Sequence, residues 1–183
     1  KVKPDEDNML AISNDGRAAA LDPRLVGLPA PDPGEGKLAV VAAQVLQPDI
    51  AIQIDLMLAT DTPDMADRGE MVLGGGPGMA LYSFHGRGTL NGVIPHPALV
   101  RLMEGTAAQL KMPLQRSAHI GALTDLSYVQ TVGQGVAAID MGYPMRHSHS
   151  ALEVCDLADL EALTTLLLAA LGRIDGTMKL ERG

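Results

Sequence analysis

Three short stretches of this chain place acids and imidazoles where a divalent cation could be held. Asp55 closes the apolar run Ile50-Ala51-Ile52-Gln53-Ile54, Asp22 stands in Leu21-Asp22-Pro23-Arg24, and two histidines share Arg146-His147-Ser148-His149-Ser150. Each stretch falls at the end of an expected strand or in the turn beside it, and open α/β sheets build their sites in the loops outside strand ends. Carboxylates and a histidine converging there suit a divalent ion such as zinc. A carboxylate on a buried strand is costly unless it is paired or metal-bound. The plainer alternative for Asp55 is a strand-end acid facing water. His147 and His149 are two apart, so on an extended segment they point to one side. They then supply two ligands, one ligand with one supporting histidine, or only an exposed polar loop. The Asp22-Pro23 bond is an ordinary trans turn by default. A cis bond there would turn both carboxylate oxygens inward, as a ligand bridging two metals requires.

The elements that must position these residues are legible from Lys37 onward. Lys37 to Gln47 reads as an apolar helix stopped by Pro48, and Asp49 to Leu58 as a strand with Ile50, Ile52 and Ile54 at period two. The turn Thr60-Asp61-Thr62-Pro63-Asp64 follows. Met79 to Phe84 is a second strand, entered through Leu73-Gly74-Gly75-Gly76-Pro77-Gly78. Pro97 fits the first position of a helix whose Leu99, Leu102 and Met103 share one face. Gln115 to Ile120 reads as a strand, Thr124 as the N-cap of a short helix, and Val136 to Met141 as a short buried strand ending in Gly142-Tyr143-Pro144. Asp156 caps a last helix, Leu157 to Leu171, which Gly172 terminates. Helices alternating with apolar strands give an α/β chain, an αβα sandwich around a mixed sheet. The segment from Asp22 to Gly36 carries four prolines and reads as a surface linker.

Composition narrows the function classes. With 183 residues and 46% apolar residues the chain can bury a real core, yet aromatics are only 2% and tryptophan is absent. The core must be aliphatic. Few aromatics and a net charge of -8 argue against nucleic-acid partners, which need stacking platforms and a basic footprint. One cysteine, Cys155, allows no internal disulfide and fits a reducing cytoplasm. No apolar run is long enough for a membrane span, and the charged first residues carry no signal core. The expectation is a soluble, cytoplasmic protein without membrane or nucleic-acid partners.

Other chemistries find less support. The glycine run lacks the lysine and hydroxyl of a phosphate loop, so it reads as a turn into the next strand. Cys155 has no activating neighbour in sequence and reads as a small buried hydrophobe. No Gly-x-Ser-x-Gly elbow supports a serine triad.

The order of motifs from Val45 to Gly172 resembles the M42 family of metallo-aminopeptidases, the glutamyl and tetrahedral aminopeptidases also labelled endoglucanases. Pro48 to Asp55 is similar to the family's strand ending in a metal-binding aspartate. Asp61-Thr62-Pro63, Leu73-Gly74-Gly75-Gly76-Pro77, Met112-Pro113-Leu114-Gln115 and Gly121-Ala122-Leu123-Thr124-Asp125 follow in the family's order. Arg146-His147-Ser148-His149-Ser150 resembles an Arg-Tyr-x-His-Ser motif, and Glu153 with Asp156-Leu157-Ala158-Asp159 closes the match. Leu21-Asp22-Pro23-Arg24 resembles the family's Leu-Asp-Asp-Arg.

The resemblance implies a zinc-peptidase-like fold and a dinuclear aminopeptidase acting on the N-termini of peptide substrates. It implies two divalent ions, zinc first and cobalt or manganese as alternatives. Asp22 would bridge the ions, Asp55 would hold one and His149 the other. Thr124 and Asp125 would bind substrate, and self-association up to a dodecamer is implied. Residues 1 to 21 contain no histidine where the family has its first ligand. The place of the family's Glu-Glu pair is taken by Asp32-Pro33, with Glu35 out of register, so Asp32 is the candidate base. The sequence thus resembles an incomplete relative lacking upstream parts of the catalytic domain. Residues 1–36 form an irregular segment with a remnant of the metal-site region, and residues 37–183 form the C-terminal part of a metallopeptidase-like domain. The rival expectation is a catalytically silent member used for oligomer assembly or ligand binding. A glycosidase, which would need two carboxylates and usually aromatic subsites, is a poor fit.

Overall fold

A computed structural model of the protein describes residues 37–84, 92–122 and 124–181. The described elements run α1 (Lys37–Leu46), β1 (Ile50–Leu58), β2 (Gly78–Phe84), β3 (Gly92–Val93), α2 (Pro97–Leu110), β4 (Gln115–Ile120), α3 (Leu126–Val129), β5 (Ala137–Arg146), β6 (Val154–Cys155) and α4 (Leu157–Leu171). β1 and β5 pair in parallel over nine residues, from Ile50 opposite Ala137 to Leu58 opposite Met145. β5 meets β2 in antiparallel fashion only at Gly78–Gly142 and Met79–Met141. β4 joins β2 in parallel, and β3 joins its C-terminal half in antiparallel fashion. The sheet is mixed, as expected.

Alternation sorts the sheet's two faces. Ile50, Ile52, Ala137, Ile139 and Met141 point to one side, where they pack with Leu99, Met103 and Ala107 of α2 and Leu163, Leu166, Leu167 and Ala170 of α4. Ala51 and Ala138 point to the other, toward Ala43 of α1 and Leu126 and Val129 of α3. This is the αβα sandwich, with the aliphatic and methionine-rich core that the scarcity of aromatics requires. Among the described residues no helix is long and apolar enough to cross a membrane.

Local chemistry sets most boundaries. Pro97 opens α2 behind a buried His96, whose Nδ1 accepts from the Ala98 amide at 3.2 Å. Its Nε2 then carries the proton and donates to the Leu180 carbonyl at 2.9 Å. Asp156 caps α4 by accepting from the Ala158 amide at 2.9 Å. Gly172 ends that helix in a right-handed conformation, at φ -64°.

Two boundaries depart from the sequence expectation. β5 does not stop at Met141 but runs through Pro144 to Arg146. On the side where β2 leaves after Gly142 and β6 begins at Met145, Pro144 falls in the gap between partners, where a missing amide proton breaks no ladder bond. α3 starts at Leu126 with Asp125 at the cap position, and neither Asp125 nor Thr124 caps it through a side chain. The Thr124 hydroxyl is used elsewhere.

The glycine turn is held by an internal anion. Asp159, in the first turn of α4 and 1% exposed, accepts from the amides of Gly74 and Gly76, each at 2.8 Å. Gly76 has φ +92° and sits against Pro113, so a side chain there would be both strained and crowded. The amides that a phosphate would need are already taken, in keeping with a structural turn. Replacing Asp159 with alanine leaves two amides unpaired, one of them buried, and should lower unfolding stability by about 3 kcal/mol. Asp159→Asn, which keeps one acceptor, should lose less. Urea unfolding of the three proteins checks this, and an unchanged midpoint for Asp159→Ala would contradict it.

Candidate functional site

The parallel register of β1 and β5 brings two carboxylates to one face. Gln53 lies beside Asp140 and Asp55 beside Gly142, so period two puts Asp55 and Asp140 on the side that carries α1 and α3. Gly142 is required beside Asp55, because a Cβ there would run into the Asp55 carbonyl. Asp55 is half-buried, and its Oδ1 accepts from the Leu56 amide at 2.7 Å. Its Oδ2 has no hydrogen-bond partner among the described residues.

Asp140 is 3% exposed. The Thr124 hydroxyl lies 3.0 Å from both of its carboxylate oxygens. Burial pushes the Asp140 carboxyl up to about 6, the Thr124 hydrogen bond pulls it down, and the charge of Asp55 adds to the rise. Asp140 is not among the candidates that the sequence singles out, although it leaves a signal there. It interrupts the apolar run Ala137-Ala138-Ile139-Asp140-Met141 much as Asp55 closes its own.

A cavity of about 500 Å³ is lined by Asp55, Asp140, Thr124, His149, Ser83 and His119 among others. His149 therefore shares a cavity with Asp55 although 94 positions of sequence separate them. A larger hollow of about 780 Å³, lined by Asp49, Tyr82, His96 and Gln130, is less suited to a cation, since both ring nitrogens of His96 are engaged.

The turn carrying His149 is fixed from behind. Arg146, the last residue of β5, donates to Asp61 through Nε and Nη2, each at 2.7 Å. Asp61 Oδ2 also accepts from the Leu73 amide at 2.9 Å. The Arg146 hydrogen bonds hold the Asp61 carboxyl below the usual carboxylate range, and Asp61 raises the guanidinium in turn. This one acid joins the end of β5, the turn after β1 and the glycine turn. Beyond Arg146 the chain is not extended, which corrects the same-side reading of the two histidines. His147 and His149 both adopt left-handed conformations, at φ 59° and 63°, and the His149 amide donates to Glu153 Oε1 at 2.7 Å. His147 is exposed and is not among the cavity-lining residues. The His149 ring nitrogens make no hydrogen bond among the described residues.

The remaining candidates are placed as follows. Asp22, with its bond to Pro23, and Asp32 lie outside the described residues. Thr124 lines the cavity, with its hydroxyl committed to Asp140. Asp125 is exposed and does not line it. Cys155, expected to be buried, is only half-buried, because β6 is a two-residue edge strand. Among the described residues no three His, Cys, Asp or Glu side chains converge as a metal ion would need. Asp55 and His149 fit a cation as donors, each with an uncommitted ligating atom, and would need further ligands to complete a site.

The family model for M42 glutamyl aminopeptidases matches residues 36–166. The Escherichia coli (strain K12) protein SgcX is 39% identical over 127 residues, which cover 69% of this chain and 34% of SgcX. Among solved structures, aminopeptidase APDkam598 from the archaeon Desulfurococcus kamchatkensis matches with a TM-score of 0.70 and 30% identity, over 77% of this chain and 38% of that one. The TET aminopeptidase of Thaumarchaeota archaeon SCGC AB-539-E09 matches with a TM-score of 0.69 and 26% identity, over 76% and 37%. The chain thus spans little more than a third of the length of these relatives.

The buried acid has a consequence for stability. The folded value for Asp140 lies above its ordinary 3.8, so folding favours the protonated form. That contribution is full below pH 4 and is lost as pH rises through 6. Asn at position 140 carries no such penalty. In the presence of a chelator, Asp140→Asn should gain stability relative to the parent between pH 4.5 and pH 7.5, by about 2 kcal/mol. Asp61 behaves oppositely, losing its contribution as pH falls, but it is common to both proteins and cancels. Urea unfolding at the two pH values measures the difference, and an equal gap at both would contradict it.

Proposed function

The chain belongs to the M42 peptidase family, and from that premise we propose that it carries part of the centre of a dinuclear metal-dependent aminopeptidase, which releases N-terminal residues from peptides. The observation that carries this reading is the meeting of Asp55, from the end of β1, and His149, from the turn after β5, in one cavity. Family membership implies metal dependence. Asp55 would hold one divalent ion and His149 the other, zinc by the chemistry of the donors, with Asp22 as the bridging third ligand. Ions bound there would supply a nucleophilic water at neutral pH and polarise the scissile carbonyl. The protein's own part is to hold the two ligands in place. Asp61 and Arg146 anchor the His149 turn, and Gly142 lets the backbones of β1 and β5 come close beside Asp55. Asp32 is the acid proposed to move a proton as general base. Thr124 lines the pocket in which the substrate would lie, and Asp125, the next residue and exposed, is the second residue proposed to bind it.

We extend the proposal to self-association. A dodecamer is described for the structure of PhTET1-12s, which shares the fold. In this chain α4 carries three exposed leucines, Leu157 at its start and Leu168 and Leu171 at its end, which a partner would cover.

One observation favours a second reading. Because three ligating side chains do not converge among the described residues, a catalytically silent member kept for assembly or ligand binding is the alternative. Metal content of protein purified without chelator, together with cleavage of aminoacyl-p-nitroanilides in added zinc, cobalt or manganese, separates the two. The enzyme reading predicts two ions per chain and metal-dependent release. Asp55→Ala and His149→Ala should each cost roughly a hundredfold or more in kcat/KM, beyond the 10–100-fold typical of residues that merely support a ligand. No bound metal and no turnover would leave the silent member.

A further inference from the structure

The family comparison leaves Asp140 without a role, yet its surroundings are unusual for a carboxylate. It is 3% exposed, and its one hydrogen-bond partner among the described residues is the Thr124 hydroxyl, a single donor facing two oxygens. An ionised carboxylate has about four acceptor positions, so most of this one's capacity is unspent. No lysine or arginine is among the described residues that line the cavity, whereas a second carboxylate, Asp55, is.

An independent feature points the same way. Ser83, 5% exposed, lines the same cavity, and its hydroxyl has no hydrogen-bond partner among the described residues. Its direction is set by a bulge. The β2–β4 register shifts between Ala80 and Tyr82, so Ser83, opposite His119, returns to the face of Ala80 and Ser117. Buried hydroxyls without partners are rare in native proteins and call for an explanation. Among the described residues, a cavity with a buried, underused carboxylate, an unpartnered hydroxyl and no lysine or arginine in its lining is short of hydrogen-bond donors that carry positive charge.

A primary ammonium meets this need. It brings three donors and no acceptor, tolerates hydroxyl and carboxylate partners together, and demands no rigid coordination geometry. Asp140 also lies at a suitable depth. It sits opposite Gln53, two residues before Asp55, or about 7 Å down the strands. A flexible four-carbon stem suits that span. We propose that Asp140, with Ser83 and Thr124, forms the floor of the pocket for the substrate's first side chain and selects a primary ammonium such as that of lysine.

This inference rests on the aminopeptidase reading, and its test separates the two. The kcat/KM values of the metal-loaded protein for Lys-, Leu- and Glu-p-nitroanilide give its selectivity. Binding of lysinamide and leucinamide by calorimetry gives a readout that needs no turnover. Lysine should be preferred to leucine at least tenfold in both. Asp140→Asn should cut the Lys-to-Leu ratio at least tenfold, and Ser83→Ala should cut it by a smaller factor. A parent protein that favours Leu or Glu, or an Asp140→Asn ratio equal to the parent's, would overturn the floor assignment while leaving an active aminopeptidase in place. Lysinamide selectivity that depends on Asp140, without cleavage of any anilide, would keep the floor and remove the enzyme reading. Loss of both would remove both.

Discussion

The nine-residue parallel pairing of β1 with β5 is the constraint on which the rest of this structure depends. Side chains alternate across a strand, so a slip of one residue would send every side chain of β1 to the opposite face. The apolar residues oppose such a slip. Ile50 and Ile52 are wanted by the α2–α4 layer, and Ala51 is needed small beneath α1 and α3. Asp55 is thereby aimed at the cavity as a by-product of where the isoleucines must go, and Asp140 is aimed there by the same rule acting on Ile139 and Met141. The close approach at Gly142 adds a second lock on the register.

Loops then do for His149 what the strands do for Asp55. A turn with left-handed residues at His147 and His149 would wander if nothing braced it. The brace is a bidentate arginine pair, the kind of ion pair with fixed geometry, partly shielded at Asp61. Asp61 reaches onward to Leu73, and two of the next three amides in that turn belong to Asp159. A chain of contacts therefore runs from α4 through the glycine turn to the histidine. The motifs Asp61-Thr62-Pro63, Leu73-Gly74-Gly75-Gly76-Pro77, Arg146 to Ser150, and Asp156 to Asp159, scattered in sequence, meet as one mechanical unit.

Much of this was legible in the residues. The isoleucine alternation, Pro97 and Asp156 each act locally, and the elements they announce begin within a residue of where they point. What escaped was non-local. The spacing of His147 and His149 suggests an extended pair, whereas both stand at positive φ, a conformation that histidine adopts more often than most residues but that spacing does not reveal. Thr124 looked like a helix cap because threonines often are, whereas a buried carboxylate on a distant strand claimed its hydroxyl. Asp140 and Asp159 were read as parts of an apolar strand and a helix start. Their roles depend on Ser83, Gly74 and Gly76, which only the fold brings near. Pro144 reads as a strand end because the gap between β2 and β6 leaves no mark in sequence.

The strand-end cavity lined by Asp55 and His149 is the place proposed for a divalent cation. Line broadening of backbone amide signals by substoichiometric manganese tests it without requiring activity. Amides of residues 54–56, 140–142 and 148–150 are expected to broaden first, and added zinc to restore them. Broadening spread over the acidic surface, or centred away from Asp55 and His149, would contradict it.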